Sequence, residues 1–361
     1  MSSMMNALAA VFRCLVRPAA LLLGALPLLA PAWSGQQHLQ ITRAAGRNVP
    51  DEMAAFRAFS FPMAYPSVFP DLWRSGDPAE APRHYFEPDR LPPDFDFAAL
   101  SPDFSVAFPS QIRVDPDLVG RAPWTICDLL SRMTAAMATN DWFQAARLGA
   151  TMAHYVGDLH QPLHCTRNYN GADTNQKGVH QRIEMDLCKA FFDSSLFVLA
   201  PTAYLDDPFH AVVGWMRQSA AIAPRWLRAD LAATRLADGH TDTEDYYLEL
   251  WDLIQDELLS QLSAAATDLS SLYYTAWVNA GRPEIPAPLD ELPVFSIWAP
   301  SVGIDPEENA ALLRQAARAK GDRYDRIIVA FLAAMAALVF ISAVCRQFSA
   351  RRSRRQHDRR S

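Results

Sequence analysis

Two histidine–carboxylate pairs with helical spacing restrict what this chain can fold into. His154 lies four positions before Asp158, and His180 lies four positions before Glu184. Residues four apart project from the same side of a helix, so each pair can bind one cation or bridge two. An apolar helix face would otherwise bury these charged groups at a cost on the order of several kcal/mol. The spacing therefore predicts helices that present metal ligands.

A third histidine follows the first pair after a turn. Pro162 cannot continue a helix, so the chain must turn between Asp158 and His164, which lets His164 approach a second group of ligands. A lone histidine is more often a surface or core residue than a ligand, but this grouping favours metal binding. Cys165 is soft enough to bind a metal, but its side chain follows a different direction, and we expect a structural thiol or a disulfide.

The body of the chain has the patterning of an all-α domain. Glycine is scarce, at 14 of 361 residues, and alternating β-branched runs are hard to find. Asn140 is the predicted N-cap of a helix over 141–159 that carries the first pair. Residues 241–244 have the form of a capping box and open a long helix, with a break expected near Thr267 and a stop at 281–283. We expect a multi-helix globular domain.

The N-terminal segment has the pattern of a secretory signal. Residues 1–32 contain Arg13 and Arg17, then an apolar stretch over 19–29, and close with small residues. Cleavage after residue 32 would make Trp33 the new N-terminus. An uncleaved anchor is the alternative, disfavoured because the apolar run is short and interrupted by proline.

The C-terminal region has the pattern of a membrane anchor. Residues 283–326 are a Pro-rich linker followed by a juxtamembrane helix, and residues 327–345 contain no charge and are long enough to cross a membrane. The tail, 346–361, is rich in Arg and is therefore expected in the cytoplasm, with the body exported to the periplasm or cell exterior. A buried soluble helix is the alternative for the apolar segment.

Composition argues against several classes of protein. The net charge of −7 combines positive termini with a charge of −15 over residues 33–345, and an acidic body argues against non-specific duplex binding. No H-E-x-x-H motif occurs, which disfavours a metalloprotease. The body can form at most one internal disulfide, because it contains only Cys127, Cys165 and Cys188.

Residues 154–164 carry a resemblance to a known superfamily. They read H-Y-V-G-D-L-H-Q-P-L-H and match H-Y-x-G-D-x-x-Q-P-x-H at every fixed position. This motif resembles that of the bacterial zinc-dependent phospholipases C and the single-strand-specific nucleases of fungi and plants, all-α phosphodiesterases with three zinc ions. Their mature chains begin with Trp, whose amine and carbonyl chelate zinc, and a nearby His follows; Trp33 and His38 fit these positions. The resemblance spans about 33–282.

The resemblance implies three zinc sites. The implied ligand sets are Asp71, His84, His154 and Asp158 for one zinc, Trp33, His38 and Asp158 for a second, and His164, His180 and Glu184 for the third. A hydroxide formed from a water shared by the first two would attack phosphorus in line, while the third zinc and Arg74 neutralise charge. Asp71, Asp158 and Arg74 are thus the expected catalytic residues, with Arg74 as an ordinary surface residue the alternative. His160 is expected to support the site or lie at the surface.

Different residues of the sequence favour the substrates of two different branches of the superfamily. Glu184 occurs in the phospholipases where nucleases usually have Asp, whereas Arg74 resembles the nucleases. Gln36 and Leu72 replace the acid and tyrosine of the choline pocket, so choline specificity is not expected. The prediction is a phospholipase C-like phosphodiesterase with no protein partner inferred. The alternatives are a nuclease or 3'-nucleotidase acting on single-stranded nucleic acid, and a non-catalytic zinc-binding surface protein.

Overall fold

The computed structural model describes residues 35–286, apart from short gaps at 75–76, 78, 109–111 and 113. Helices, turns and irregular segments make up this range, and it contains no strand, which confirms the all-α prediction for the body. The described residues fall into two compact units. Residues 35–71 and 82–286 belong to the larger unit, and 72–81 belong to the smaller one.

Several predictions concern residues outside this range. The signal peptide at 1–32, Trp33, nearly all of the linker, the apolar segment 327–345 and the Arg-rich tail all lie outside the described residues. Within the described range, no helix combines the length and the apolarity needed to span a bilayer.

Nine α-helices occur in the described residues. They are α1 (Gly35–Arg47), α2 (Phe69–Trp73), α3 (Pro116–Val119), α4 (Ala122–Ala138), α5 (Trp142–Leu159), α6 (Val179–Gln181), α7 (Cys188–Phe191), α8 (Pro208–Leu236) and α9 (Glu244–Asn279). Short 3-10 turns connect them, at Asp51–Phe59, Tyr65–Val68, Ala81–His84, Pro88–Arg90, Phe97–Ala99, Phe104–Val106, Pro162–Cys165, Ala172–Thr174 and Ser194–Leu196. A π-helix, Arg182–Leu187, follows α6 directly.

Helix α5 lies at the centre of the larger unit. Every residue from 148 to 159 is buried, and α5 packs against α4, α1 and α9. A helix that is covered on all sides is a core helix rather than a surface one. Tyr273 of α9 is fully buried against it and donates a hydrogen bond from its hydroxyl to the carbonyl of Gly149 over 3.0 Å. The side chains at the end of α5 are therefore held inside the core.

The predicted start of α5 is wrong by one residue. Asp141, not Asn140, is the N-cap, and its side chain accepts a hydrogen bond from the backbone N–H of Gln144. Asn140 has a φ of 60°, a left-handed conformation that ends the preceding turn. The predicted stop after Leu159 is confirmed, and Pro162 begins a 3-10 turn.

Helix α9 runs without the break expected near Thr267. Its N-cap is Thr243 rather than Thr241, the cap that a capping box over 241–244 implies, and Gly281, with a φ of 88°, follows its end. The hydroxyl of Thr267 faces an extended segment that lies along the helix. Four hydroxyls spaced by four positions accept backbone N–H groups of that segment: Ser263 from Val198, Thr267 from Ala200, Ser271 from Ala203 and Thr275 from Leu205, over 3.0–3.2 Å. The hydroxyls that suggested a break are thus hydrogen-bonded to this neighbouring segment, and the helix continues through them.

Candidate metal centre

The last turns of α5 carry the first predicted pair. His154 and Asp158 project to one side, and Nε2 of His154 lies 3.3 Å from Oδ2 of Asp158. Neither side chain is exposed to solvent. The helical spacing therefore produces the predicted pairing, inside the core.

His38 reaches the same place from α1. Its ring stacks on that of His154, with centroids 4.0 Å apart and planes 17° apart, and its Nε2 lies 3.4 Å from Oδ1 of Asp158. This approach depends on Gly157, because a Cβ there would lie only 2.9 Å from Nδ1 of His38. Glycine at this position therefore lets α1 bring a histidine against α5.

His84, of the Ala81–His84 turn, and Asp71, of α2, complete this group. Nδ1 of His84 lies 2.9 Å from Oδ2 of Asp158 and 3.1 Å from Nε2 of His154. Oδ1 of Asp71 lies 3.9 Å from Nδ1 of His84 and 3.8 Å from Nε2 of His154. We call His38, Asp71, His84, His154 and Asp158 the Asp158 cluster.

A second group forms around Glu184. Nε2 of His180 lies 2.9 Å from Oε2 of Glu184, and Nε2 of His164 lies 3.2 Å from Oε1. His180 is on α6, and Glu184 is on the π-helix that continues it, a conformation often found at functional sites. We call His164, His180 and Glu184 the Glu184 cluster. The structure thus brings together all eight of the predicted side-chain ligands that it describes.

Three supporting hydrogen bonds orient these ligands. Nδ1 of His154 donates to the carbonyl of Ser67 over 2.8 Å, and Nδ1 of His164 donates to the carbonyl of His84 over 2.7 Å. Gln161 donates from Nε2 to a carboxylate oxygen of Glu184 over 2.9 Å. A neutral histidine that donates from one nitrogen keeps a lone pair on the other, the arrangement typical of metal-binding histidines. Sequence reasoning missed Ser67, because nothing in the sequence shows which carbonyl faces a ring.

Burial and opposite charge together set the protonation of both clusters. Burial alone would raise the pKa of Asp158, but His154 and His164 outweigh it and hold that pKa well below its usual value. Burial, with His38 nearby, lowers the pKa of His154 well below its usual value. Glu184 also remains ionised, with its pKa lowered to about 2, because His180 and His164 outweigh its burial. Both central carboxylates are therefore anionic although they are buried.

The donor sets fit a metal ion. Three groups of side chains place their ligand atoms within 4.8 Å of one another: His38, His154 and Asp158; Asp71, His84 and His154; and His164, His180 and Glu184. Several of these atoms make no hydrogen bond within the described part of the chain, namely both ring nitrogens of His38, Oδ1 of Asp158, Nε2 of His164 and Oε2 of Glu184. Buried polar atoms without a partner are costly, and a cation would satisfy them together. Histidine nitrogens with carboxylate oxygens are donors that suit zinc.

His160 is not a member of either cluster, but it is buried and is neither a surface residue nor a support of the site, the two roles expected for it. Its Nδ1 donates to the carbonyl of Val156 over 2.8 Å, and its Nε2 lies 2.9 Å from Oδ2 of Asp268. Asp268 also lines an open cavity of about 700 Å³, together with Trp215 and other residues of α8 and α9. That cavity contains none of the predicted ligands. His160 therefore joins α5 to α9 rather than contributing to a metal site.

The remaining predicted residues have simpler positions. Arg74 belongs to the smaller unit and directly follows α2. The three body cysteines are free, so the disulfide considered for them does not form: Cys127, Cys165 and Cys188. Burial raises the pKa of the Cys165 thiol well above its usual value. Cys165 is thus the structural thiol that we expected.

Neither the comparison with models of known protein families nor the comparison with curated proteins finds a match for this chain.

Proposed function

We propose that this chain is a zinc-dependent phosphodiester hydrolase of the phospholipase C type. The observation that carries the proposal is that the two carboxylate oxygens of Asp158 face different histidines. Oδ1 faces His38, at 3.4 Å, and Oδ2 faces His84 and His154, at 2.9 and 3.3 Å. A carboxylate with different ligands on each oxygen is suited to bridge two metal ions. A decayed, non-catalytic site is disfavoured because all eight described ligands are in place.

The protein residues hold and orient the reacting groups in this proposal. His154 and His84, which face Oδ2 of Asp158, belong together with Asp71, and His38 faces Oδ1, where the resemblance adds Trp33. Zinc bound at these ligands supplies Lewis acidity that makes water nucleophilic near neutral pH and stabilises charge on phosphate oxygens. The core position of α5 keeps the ligands fixed, so little reorganisation accompanies the reaction.

The Glu184 cluster has a separate part in the proposal. Its single carboxylate and two histidines suit one metal with coordination positions left for a substrate oxygen. Arg74 retains its predicted role of neutralising charge on the phosphate. The resemblance between Glu184 and the corresponding residue of the phospholipases supports phospholipid as the substrate. The predicted signal and the apolar segment 327–345 support an exported, membrane-anchored enzyme near lipid.

A single-strand-specific nuclease is the second candidate. Tyr169 is half exposed, and its ring meets that of His180 edge-on, with centroids 5.8 Å apart. An exposed aromatic ring beside a phosphate site can stack a nucleobase, and such stacking does not require a particular sequence. The contact between Tyr169 and His180 is therefore the observation that supports a nucleic-acid substrate.

One assay distinguishes the two substrates. The mature protein, which begins at Trp33 and keeps its C-terminal segment, would be purified in detergent and tested on mixed phospholipid vesicles and on a single-stranded oligonucleotide, with zinc and with a chelator. Zinc-dependent release of diacylglycerol supports the phospholipase proposal. Zinc-dependent cleavage of the oligonucleotide alone replaces it with the nuclease. Zinc binding without hydrolysis of either substrate contradicts both candidates.

The proposed topology has its own test. Protease added outside intact cells should release a soluble, active fragment by cutting within 283–320. Cleavage of the tail from outside, with the body protected, would reverse the proposed orientation.

A further inference from the structure

His180 differs from two other histidines of the metal centre. His154 and His164 each donate from Nδ1 to a backbone carbonyl, which fixes the ring. Nδ1 of His180 has no hydrogen-bond partner among the described residues, although the ring is buried. Its direction is therefore set by the contact of its Nε2 with Glu184, at 2.9 Å, and by the backbone that carries it.

That backbone is held on both sides of His180 by one buried residue of α8, Asp230. Asp230 is 1% exposed and accepts hydrogen bonds on both carboxylate oxygens. Nε2 of Gln176, four positions before His180, donates to Oδ2 over 2.6 Å. Arg182, two positions after His180, donates to Oδ1 from Nε and Nη2, over 3.1 and 2.8 Å.

Arg182 also hydrogen-bonds to the main chain before His180. Its Nη1 donates to the carbonyl of Lys177 over 3.0 Å, and its Nη2 donates to the carbonyl of Gln176 over 3.3 Å. The side chain thus folds back over the turn that leads into α6. Gly178 has a φ of 93° in this turn, a conformation that other residues rarely adopt. Asp230, through Arg182 and Gln176, fastens the chain immediately before and after His180.

Tyr246 of α9 completes the group. Its hydroxyl donates to Oδ1 of Asp230 and accepts from Nε of Arg182. Because this group has donors for both oxygens of the buried carboxylate, it forms a rigid network rather than a loose ion pair. The network connects α8 and α9 to the segment that carries the Glu184 cluster.

We propose that Asp230 is a positioning residue that sets the metal affinity of the Glu184 cluster by fixing the backbone around His180. The inference rests on the proposed function only in taking the Glu184 cluster as a metal site. Loss of an outer partner of a metal ligand typically weakens metal binding by about 10–100-fold. We expect a weakening of that size at this site, with the Asp158 cluster unchanged.

The test is a zinc titration of the metal-free mature protein, which begins at Trp33. The binding step that is lost in Glu184→Gln is assigned to the Glu184 cluster. Asp230→Asn keeps the size of the side chain but removes its charge, and it should weaken that step alone by about 10–100-fold. The visible absorption of cobalt bound in place of zinc should change at the same step. Equal affinity and an equal spectrum in Asp230→Asn and the wild type would overturn the proposal.

A matched pair of milder variants separates positioning from general stability. Tyr246→Phe and Tyr273→Phe each remove one hydroxyl from α9 that donates a hydrogen bond, to Asp230 and to the carbonyl of Gly149 respectively. Both should lower the melting temperature, but only Tyr246→Phe should weaken the zinc step of the Glu184 cluster. This pair decides the question if Asp230→Asn does not fold, and equal zinc affinity in the two would overturn the proposal. If the wild type and Glu184→Gln bind zinc in the same steps, the Glu184 cluster is not a zinc site. That result contradicts the proposed function rather than the role of Asp230.

Discussion

The two clusters of the candidate metal centre are assembled in different ways. The Asp158 cluster draws its ligands from α1, α2, the Ala81–His84 turn and α5, between positions 38 and 158. The Glu184 cluster draws all three of its ligands from positions 164 to 184. The first therefore depends on the packing of the whole larger unit, and the second depends on one segment and the network that holds it. Changes near Asp158 should disturb more than one metal, whereas changes near Glu184 should disturb one.

The largest expected effect is at Asp158, the carboxylate proposed to bridge two metal ions. Asp158→Asn keeps the size of the side chain but removes the anion that faces His38 on one oxygen and His84 and His154 on the other. Zinc at the Asp158 cluster should be lost, and phosphodiesterase activity should fall by more than the roughly 10–100-fold cost of losing an outer partner. The measurements are zinc content and kcat/KM.

The control for this variant is His160→Ala. His160 is two positions from Asp158 but bonds to Asp268 and a backbone carbonyl, outside both clusters. It should retain its zinc and lose far less activity. Equal losses in the two variants would mean that the assignment of α5 residues to the metals is wrong.

A smaller effect is expected at the N-terminus of the mature chain. The resemblance assigns the α-amino group of Trp33 to the zinc that His38 also binds. One additional Ala before Trp33 should therefore remove one zinc and most of the activity, while the Glu184 cluster keeps its metal. Full activity with the extra residue would exclude the amine as a ligand and would leave His38 and Asp158 to hold that zinc without it.

The smallest effect is expected at Cys165. This thiol is adjacent to His164 in sequence, but it is buried and directed toward the carbonyl of Leu159, at 3.5 Å. Cys165→Ala should leave the zinc content unchanged and lower the free energy of unfolding by about 1 kcal/mol, the cost of a small cavity. Loss of one zinc in this variant would identify Cys165 as a fourth ligand of the Glu184 cluster. It would also weaken the distinction between the two clusters.

The sequence predicted the local features of the site better than the long-range ones. The spacing of His154 with Asp158 and of His180 with Glu184 is sufficient to place each pair on one face, because the helix geometry fixes the result. The approach of His84 to these residues came only from the family resemblance, since no local pattern connects positions 84 and 158.

Other features could not be predicted from local patterns at all. The unbroken helix at Thr267 depends on a segment about 70 positions away that supplies a backbone N–H to its hydroxyl. Arg182 and Gln176, the partners that connect Asp230 to the chain around His180, are 48 and 54 positions away, so its sequence neighbours gave no sign of this link. The cap at Asp141 was missed for a local reason, because Asn140 and Asp141 are both good capping residues and only the backbone conformation distinguishes them.

The zinc content of the purified wild-type protein tests the central claim most directly. The protein would be stripped with a chelator, supplied again with zinc, freed of excess metal and measured for zinc per chain. We predict three zinc ions per chain, two at the Asp158 cluster and one at the Glu184 cluster, and recovery of phosphodiesterase activity as they bind. A chain that retains no zinc, or that is equally active before and after stripping, would contradict the account.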